Sequence, residues 1–332
     1  MENEEILSVK NLMKYFHLKR RKFFRFGGSD AYVRAVDGVS FNLMKGEILG
    51  LAGESGCGKT TTGRAILRLT EPTGGEVYFQ GVDLLSIKKG LFKSYRRQMQ
   101  MIFQDPYESL NPRRTVSETV RQPIEIHKLA KTESEKKDLI IETLEEVELR
   151  PATEFLDRYP HMLSGGQRQR VAVARAIVLR PKIMVADEPV SMLDVSTRSG
   201  ILSLIEKLRK DLDLSYIYIT HDLATAKYIC DRIAIMYLGR IVEIGPTRKI
   251  IMDPTHPYTK ALVAAVPVPD PETKIGEIPI KGEVPLNPID LPPGCRFHPR
   301  CPYATEKCME EEPELTPVGD DCLVACHSNY LG

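Results

Sequence analysis

Eight consecutive residues, Gly53-Glu54-Ser55-Gly56-Cys57-Gly58-Lys59-Thr60, fit Gly-x-x-x-x-Gly-Lys-Thr, the pattern of a phosphate-binding loop. Glycines let such a loop curl until successive backbone N–H groups point at one anion. A helix that starts at the end of the curl adds the positive end of its dipole, and Thr61 stands in its first turn. Lys59 can reach β- and γ-phosphates, and the Thr60 hydroxyl can ligate Mg²⁺. Asp187-Glu188 ends an apolar run, where one carboxylate can hold Mg²⁺ and its neighbour can orient an attacking water as general base. Ser164-Gly165-Gly166-Gln167 precedes another helical stretch and combines a hydroxyl with small residues, a second potential anion cradle. Two cradles beside one phosphate loop suggest that the second serves another molecule's nucleotide.

These residues need elements to hold them. Glu47 to Ala52 reads as a short buried strand before the loop, and Thr61 to Leu69 as a helix after it, with apolar Ala65, Ile66 and Leu69. Upstream, Ile6 to Asn11 reads as a strand, and Val33 to Leu43 alternates like a strand with one covered face. Between them lies a basic, aromatic insert, His17 to Asp30, read as a solvated surface loop because its charge run is short. Glu76 to Gln80 and Gln98 to Phe103 read as strands, and Asp105 to Pro112 as a loop. Val116 to Asp157 reads as mostly helical. A helix from Arg168 to Leu179, a strand from Ile183 to Glu188, a helix from Thr197 to Leu212 and a strand from Ser215 to Thr220 follow. Helix, strand and hairpin then run from Ala224 to Gly245, with Leu238-Gly239 at the turn. The alternation predicts a parallel α/β sheet. Residues 267–293 hold eight prolines among 27 positions, the composition of an extended linker.

Composition narrows the function classes. The formal net charge of +1 across 332 residues gives no global field to recruit nucleic acid or anionic lipid. An acidic, polar N-terminus is unlike a signal peptide, and no apolar run reaches the roughly 18 residues that span a bilayer. The expectation is a cytosolic chain whose membrane link, if any, runs through a partner. Five of the seven cysteines, Cys295, Cys301, Cys308, Cys322 and Cys326, fall after residue 290, with intervening gaps of 5, 6, 13 and 3. In a reducing compartment this reads as a metal site, and four-sulfur zinc and an iron–sulfur cluster both fit the spacing. Cys230 reads as a core residue.

Leu163-Ser164-Gly165-Gly166-Gln167 resembles the signature of ATP-binding cassette (ABC) transporter subunits. The phosphate loop, Gln104, the signature, Asp187-Glu188, Ser191-Met192-Leu193-Asp194 and His221 stand in that family's order. Met192 departs mildly from the family's usual Ala. The resemblance implies an α/β phosphate-loop ATPase core over residues 1–265, of mixed sheet and helices, with a helical subdomain at about 105–180. A linker at 266–294 and a small C-terminal extension at 295–332 would follow. It implies that Phe16 stacks on adenine, with Tyr15 the neighbouring alternative. Gln104 would sense γ-phosphate and Mg²⁺, Asp194 would communicate across a dimer, and His221 would bond the γ-phosphate. ATP would bind to Gly53 through Thr61 of one subunit and to Ser164 through Gln167 of the other in a head-to-tail dimer. The Cys57 side chain would point away from the phosphates.

His256-Pro257-Tyr258-Thr259-Lys260-Ala261-Leu262, Gly294 to Pro302, Cys308 and Val324 to His327 resemble the oligopeptide/dipeptide-importing branch of that family. Some members carry a [4Fe–4S] cluster on four cysteines that match Cys295, Cys301, Cys308 and Cys326. Cys322 departs from the pattern and could substitute for Cys326 or stay free. The resemblance implies an ATPase subunit at the cytoplasmic face of the cell membrane, bound to two transmembrane permease subunits and served indirectly by an extracellular substrate-binding protein. A second homologous ATPase subunit is expected, in a heterodimer, with a homodimer as the alternative and no nucleic-acid partner. Peptides are the expected solute. Oligosaccharides or nickel are the alternatives within the same machinery, and a soluble, non-transport ABC ATPase is the reading outside it.

Overall fold

The computed structural model describes residues 4–18, 31–88, 90–266, 280–281, 289, 291–319 and 321–328. Most of the basic insert and of the proline-rich stretch lies outside them. In chain order the elements begin with β1 (Glu5–Leu18), β2 (Ala31–Met44), β3 (Ile48–Ala52), α1 (Lys59–Ile66), β4 (Gly74–Phe79) and β5 (Val82–Asp83). Next come α2 (Phe92–Gln98), β6 (Met99–Ile102), α3 (Pro106–Ser109), α4 (Val116–His127), α5 (Glu133–Glu146) and α6 (Gly165–Ile177). β7 (Ile183–Asp187), α7 (Val195–Asp211), β8 (Ser215–Thr220), α8 (Leu223–Ile229), β9 (Arg232–Tyr237) and β10 (Arg240–Pro246) follow. The last are α9 (Thr247–Met252), α10 (Pro257–Ala264), α11 (Glu306–Glu310), β11 (Thr316–Pro317) and β12 (Leu323–Val324).

The chain divides into two compact units. One contains Glu5–Leu43, Ile48–Leu85 and the chain from Ile219 onward. Within it β3 and β9 run parallel, Leu49 opposite Arg232 and Ala52 opposite Ile235. All of β3 is buried, which is why it reads as an unbroken apolar run. β10 returns antiparallel to β9, β12 pairs with β10, and β11 pairs with β12. The sheet is therefore mixed, not parallel throughout as the alternation predicts. The cause is local: Leu238 and Gly239 turn with φ of 42° and 85°, the paired positive values that close a two-residue hairpin. A second sheet of this unit has the order β2-β1-β4-β5, with β1 antiparallel to β4.

The other unit contains Met44–Glu47 and Ser86–Tyr218. Here β6 runs parallel to β7, Met99 opposite Ile183 and Ile102 opposite Ala186. Three helices are opened by reciprocal caps: Thr115 with Glu118 on α4, Thr132 with Glu135 on α5, and Ser164 with Gln167 on α6. The long helical stretch read from Val116 is thus two helices, parted where Lys128 takes a left-handed φ of 53° after α4. Val171, Ala172, Val173, Ala174 and Ile177 of α6 are buried, as are Val120 and Ile124 of α4 and Leu144 of α5. Each large aliphatic side chain withdrawn from water in this way contributes about 1.5–3 kcal/mol before entropy is counted. Among the described residues no helix is long and apolar enough to cross a membrane.

Candidate nucleotide-binding and hydrolysis residues

The phosphate loop leaves the end of β3 and enters α1, as the strand–loop–helix pattern requires. Two of its glycines are obligatory. Gly53 has φ 148°, and a Cβ there would lie 2.2 Å from the Met236 carbonyl oxygen. Gly58 caps α1 at φ 108°, and its Cβ would lie 2.1 Å from the Ala35 carbonyl oxygen. Lys59 is buried beneath the curl, where its Nζ donates to the carbonyl oxygens of Gly53 at 2.7 Å and Glu54 at 2.9 Å. The ammonium is thereby stationed against the loop, while Ser55 and Gly56 stay exposed and Thr60 and Thr61 half-buried. Helix α1 starts at Lys59, two residues earlier than the apolar pattern suggests. Cys57 is buried, and burial raises its thiol pKa. The turn between β9 and β10 props the loop from outside, with Gly239 N–H donating to the Cys57 carbonyl at 2.8 Å.

Sequence reasoning missed a second set of supports. The Glu54 N–H donates to the Tyr258 hydroxyl at 2.9 Å, and Arg300 grips the Glu54 carboxylate with two bonds of 2.8 and 3.0 Å. Arg296 pairs with Asp37, which also accepts from the Tyr15 hydroxyl. Burial works against the Asp37 carboxylate, but the Tyr15 hydroxyl, Arg296 and Arg240 outweigh it and hold the group below the usual carboxylate range. Tyr15 is thus tied down, whereas the Phe16 ring is 41% exposed with the Lys14 ammonium 4.9 Å from its centre. Of the two aromatics, Phe16 is the more exposed. His221 follows β8 and is exposed.

In the unit built on β6 and β7, register does the positioning. Ile102 lies opposite Ala186, so residues two steps further along each strand emerge at the same end. Those residues are Gln104 and Glu188, and the Gln104 amide Nε2 donates to Glu188 Oε2 at 3.0 Å. Glu188 holds a left-handed φ of 45°, a conformation a branchless glycine adopts freely and a glutamate only under constraint. Asp187 beside it is buried at the end of β7. A positioned carboxylate with an amide donor on it can take a proton from water. Asp194 caps α7 through Thr197 N–H and accepts from the Ser196 and Thr197 hydroxyls. Those bonds hold its pKa at about 2.

At the signature the two glycines are already helical. Helix α6 begins at Gly165, three residues before the apolar pattern starts, and the Ser164 hydroxyl accepts from Gln167 N–H at 3.3 Å. Gly166 is buried, and a Cβ there would stand 2.4 Å from Thr197 Cγ2. Its glycine is demanded by packing against α7, not by a curled loop. Ser164 itself is exposed at the start of a 13-residue helix.

The C-terminal cysteines sort into two groups. Cys295 is pushed up to about 11, by burial first and then by Cys308, Cys326 and Cys301. Cys301 is raised by burial and by Cys326 and Cys308. Cys322 instead packs on β10, where a Cβ on Gly245 would lie 2.5 Å from its sulfur, and its charged neighbours are Lys249, Glu243 and Asp321. Four thiols are the donor chemistry of a four-iron cluster or of tetrahedral zinc. Among the described residues, however, no three His, Cys, Asp or Glu side chains are arranged to hold a metal ion. The expected metal or cluster site is therefore not carried by this geometry. Cys230 is buried, as expected of a core residue.

Comparison with known proteins gives these residues a family. Residues 36–191 match the model described as ABC transporter, and residues 242–308 match the one described as oligopeptide/dipeptide transporter, C-terminal region. The chain is 47% identical to the putative oligopeptide transport ATP-binding protein YkfD of Bacillus subtilis, over 98% of this chain and 96% of that one. It is 44% identical to the dipeptide transport ATP-binding protein DppF of Haemophilus influenzae, over 98% and 97%. A dimeric post-hydrolysis structure of the ATP-binding cassette MJ0796, bound to ADP and Pi, superimposes with a TM-score of 0.61 at 31% identity, covering 73% of this chain and 99% of that one. The chain belongs to the ABC transporter ATP-binding proteins, in their oligopeptide/dipeptide branch.

Proposed function

We infer that the chain is the ATP-hydrolysing subunit of an importer that takes up oligopeptides or dipeptides. The observation that carries this is similarity along almost the whole chain to proteins named for peptide transport. The loop geometry and the Gln104–Glu188 bond fit the chemistry. Lys59 draws the β- and γ-phosphates onto the loop amides, and Phe16 stacks on the base. Thr60, Gln104 and Asp187 are hard oxygen donors of the kind Mg²⁺ prefers, and they would hold it. Mg²⁺ would screen charge on the transferring phosphoryl group. Glu188 orients the attacking water and takes its proton, and His221 bonds the γ-phosphate. Ser164, Gly165, Gly166 and Gln167 serve the nucleotide of a second cassette, with Asp194 at the same face, in a dimer that closes on ATP and reopens after hydrolysis. The second cassette is a paired homologous subunit. The pair works at the cytoplasmic face of the membrane beneath two permease subunits fed by an extracellular binding protein.

In this reading Cys295, Cys301, Cys308 and Cys326 would be the ligand set for a [4Fe–4S] cluster, on the strength of their number and spacing in the sequence rather than of their arrangement here. Anaerobically purified full-length protein should then contain four iron atoms per chain. A colourless preparation with zinc and no iron ends that part of the proposal. For the ATPase itself, Glu188→Gln should bind MgATP as tightly as wild type and release no phosphate. Hydrolysis by that variant at the wild-type rate would remove Glu188 as the base. Loss of labelled-peptide uptake in cells lacking the gene, restored by wild type and not by Glu188→Gln, tests the transport role.

A further inference from the structure

Glu54 occupies the second position of the phosphate loop, where a negative charge opposes the triphosphate the loop is shaped to receive. Three of its groups are held by three different residues. Its N–H donates to the Tyr258 hydroxyl at 2.9 Å, its carbonyl accepts from Lys59 Nζ at 2.9 Å, and its carboxylate receives both arms of Arg300. The Arg300 and Glu54 side chains are 6% and 27% exposed, so the pair is largely shielded from water. The guanidinium is steadied by aromatic rings, 5.7 Å from the centre of Tyr237 and 5.9 Å from that of Phe297. Phe297 also meets Tyr237, Tyr258 and His256 at ring separations of 5.3, 5.5 and 5.7 Å. One aromatic cluster thus carries both supports of Glu54. Arg300 closes the short turn His298–Arg300, directly before Cys301.

We propose that Arg300 and Tyr258 are positioning residues for the phosphate loop. Arg300 cancels and aims the Glu54 carboxylate, and Tyr258 fixes the Glu54 amide, so the C-terminal segment sets how strongly the loop holds a triphosphate. A bidentate guanidinium–carboxylate pair fixes direction as well as charge, which a lysine in the same place would not. The proposal rests on the nucleotide reading of the loop.

The test uses the full chain. MgATP binding by calorimetry and steady-state KM and kcat are measured for wild type, Arg300→Ala, Arg300→Lys, Glu54→Gln, the double variant Arg300→Ala/Glu54→Gln and Tyr258→Phe. Thermal melts accompany each, and Lys59→Ala serves as the binding-dead reference. Arg300→Ala should weaken MgATP binding and raise KM about tenfold with kcat within about twofold of wild type. Arg300→Lys should fall between them, and Tyr258→Phe should lose severalfold in affinity. The double variant should return to within about threefold of wild type, because removing the charge removes the need for its partner. The idea is overturned if Arg300→Ala keeps the wild-type Kd and KM. It is equally overturned if the double variant is as impaired as Arg300→Ala, since Arg300 would then act through the fold alone. Should Arg300→Ala fail to fold, Arg300→Lys and the double variant carry the same comparison. A wild-type chain with no more affinity for MgATP than Lys59→Ala sinks the nucleotide reading itself, an outcome distinct from both of these.

Discussion

Glu188 and Gln104 touch because two parallel strands end in register, and this contact aims the Glu188 carboxylate. Replacing Gln104 with Glu would put a second carboxylate where an amide now donates at 3.0 Å. Two carboxylates at that distance repel, and the bond that aims Glu188 is lost. Turnover should therefore fall by about tenfold or more, and a Gln104→Glu chain that hydrolyses ATP at the wild-type rate would show that the contact does not matter to hydrolysis. His256 offers a second residue-scale test. It is fully buried, its Nδ1 accepts from Tyr258 N–H at 3.0 Å, and its backbone N–H donates to Glu243. Burial lowers its pKa from 6.5 to about 3, against a raising contribution from the Ala325 backbone. The unfolded chain binds this proton below pH 6.5 and the folded chain does not until about 3, so the stability it confers is complete above 6.5 and lost as pH falls. At pH 5 the loss is about 2 kcal/mol. Glu243, raised by burial, works in the opposite sense in the acid range. The measurement is therefore the difference between wild type and His256→Gln, whose stability should decline less steeply between pH 7 and pH 5.

Among the elements, α6 teaches the most. The Ser-x-x-Gln box at Ser164–Gln167 is a legible start signal, yet two glycines at the first helical positions read as a loop because glycine is a poor helix former. What retains Gly166 is Thr197, 31 residues away on α7, and periodicity within one helix carries no trace of that neighbour. Gly166→Ala should therefore destabilise the chain by about 1–3 kcal/mol, the usual cost of forcing a methyl into packed space. Thr197→Ser removes the obstructing Cγ2 but keeps the hydroxyl that donates to Asp194 at 2.8 Å. The double variant should recover most of the lost melting temperature. If it does not, the glycine is needed for a reason other than Thr197. The buried strands β7 (Ile183–Asp187) and β8 (Ser215–Thr220) match the sequence reading closely, whereas β1 runs to Leu18, seven residues past the Asn11 at which that reading ends it. Both β7 and β8 are fully buried runs.

At the scale of the molecule, the order of motifs was enough to name the family, since each motif brings its own local strand–loop–helix context. The contacts linking the C-terminal segment to the phosphate loop were not legible. Arg300 and Tyr258 stand 246 and 204 positions from Glu54, and nothing at either end marks the pairing. The signature makes its own prediction at this scale. In the Glu188→Gln background, MgATP should drive this chain and its paired homologous subunit together, visible as an earlier elution of the mixture by size exclusion. Ser164→Asp keeps the α6 cap, because aspartate caps as well as serine, but adds a negative charge where the proposed function places the partner's γ-phosphate. That variant should bind MgATP and stay monomeric, whereas dimers of undiminished stability would detach Ser164 from the shared nucleotide.

The grip of Arg300 on Glu54 and of Arg296 on Asp37 bears on how this polypeptide can be shortened. Cutting the gene within the proline-rich stretch looks like a clean way to obtain a minimal motor. It would discard both guanidinium groups and leave two acids behind, one of them buried. Such a fragment would be a different enzyme rather than a smaller one. A fair surrogate would carry Glu54→Gln and Asp37→Asn from the outset.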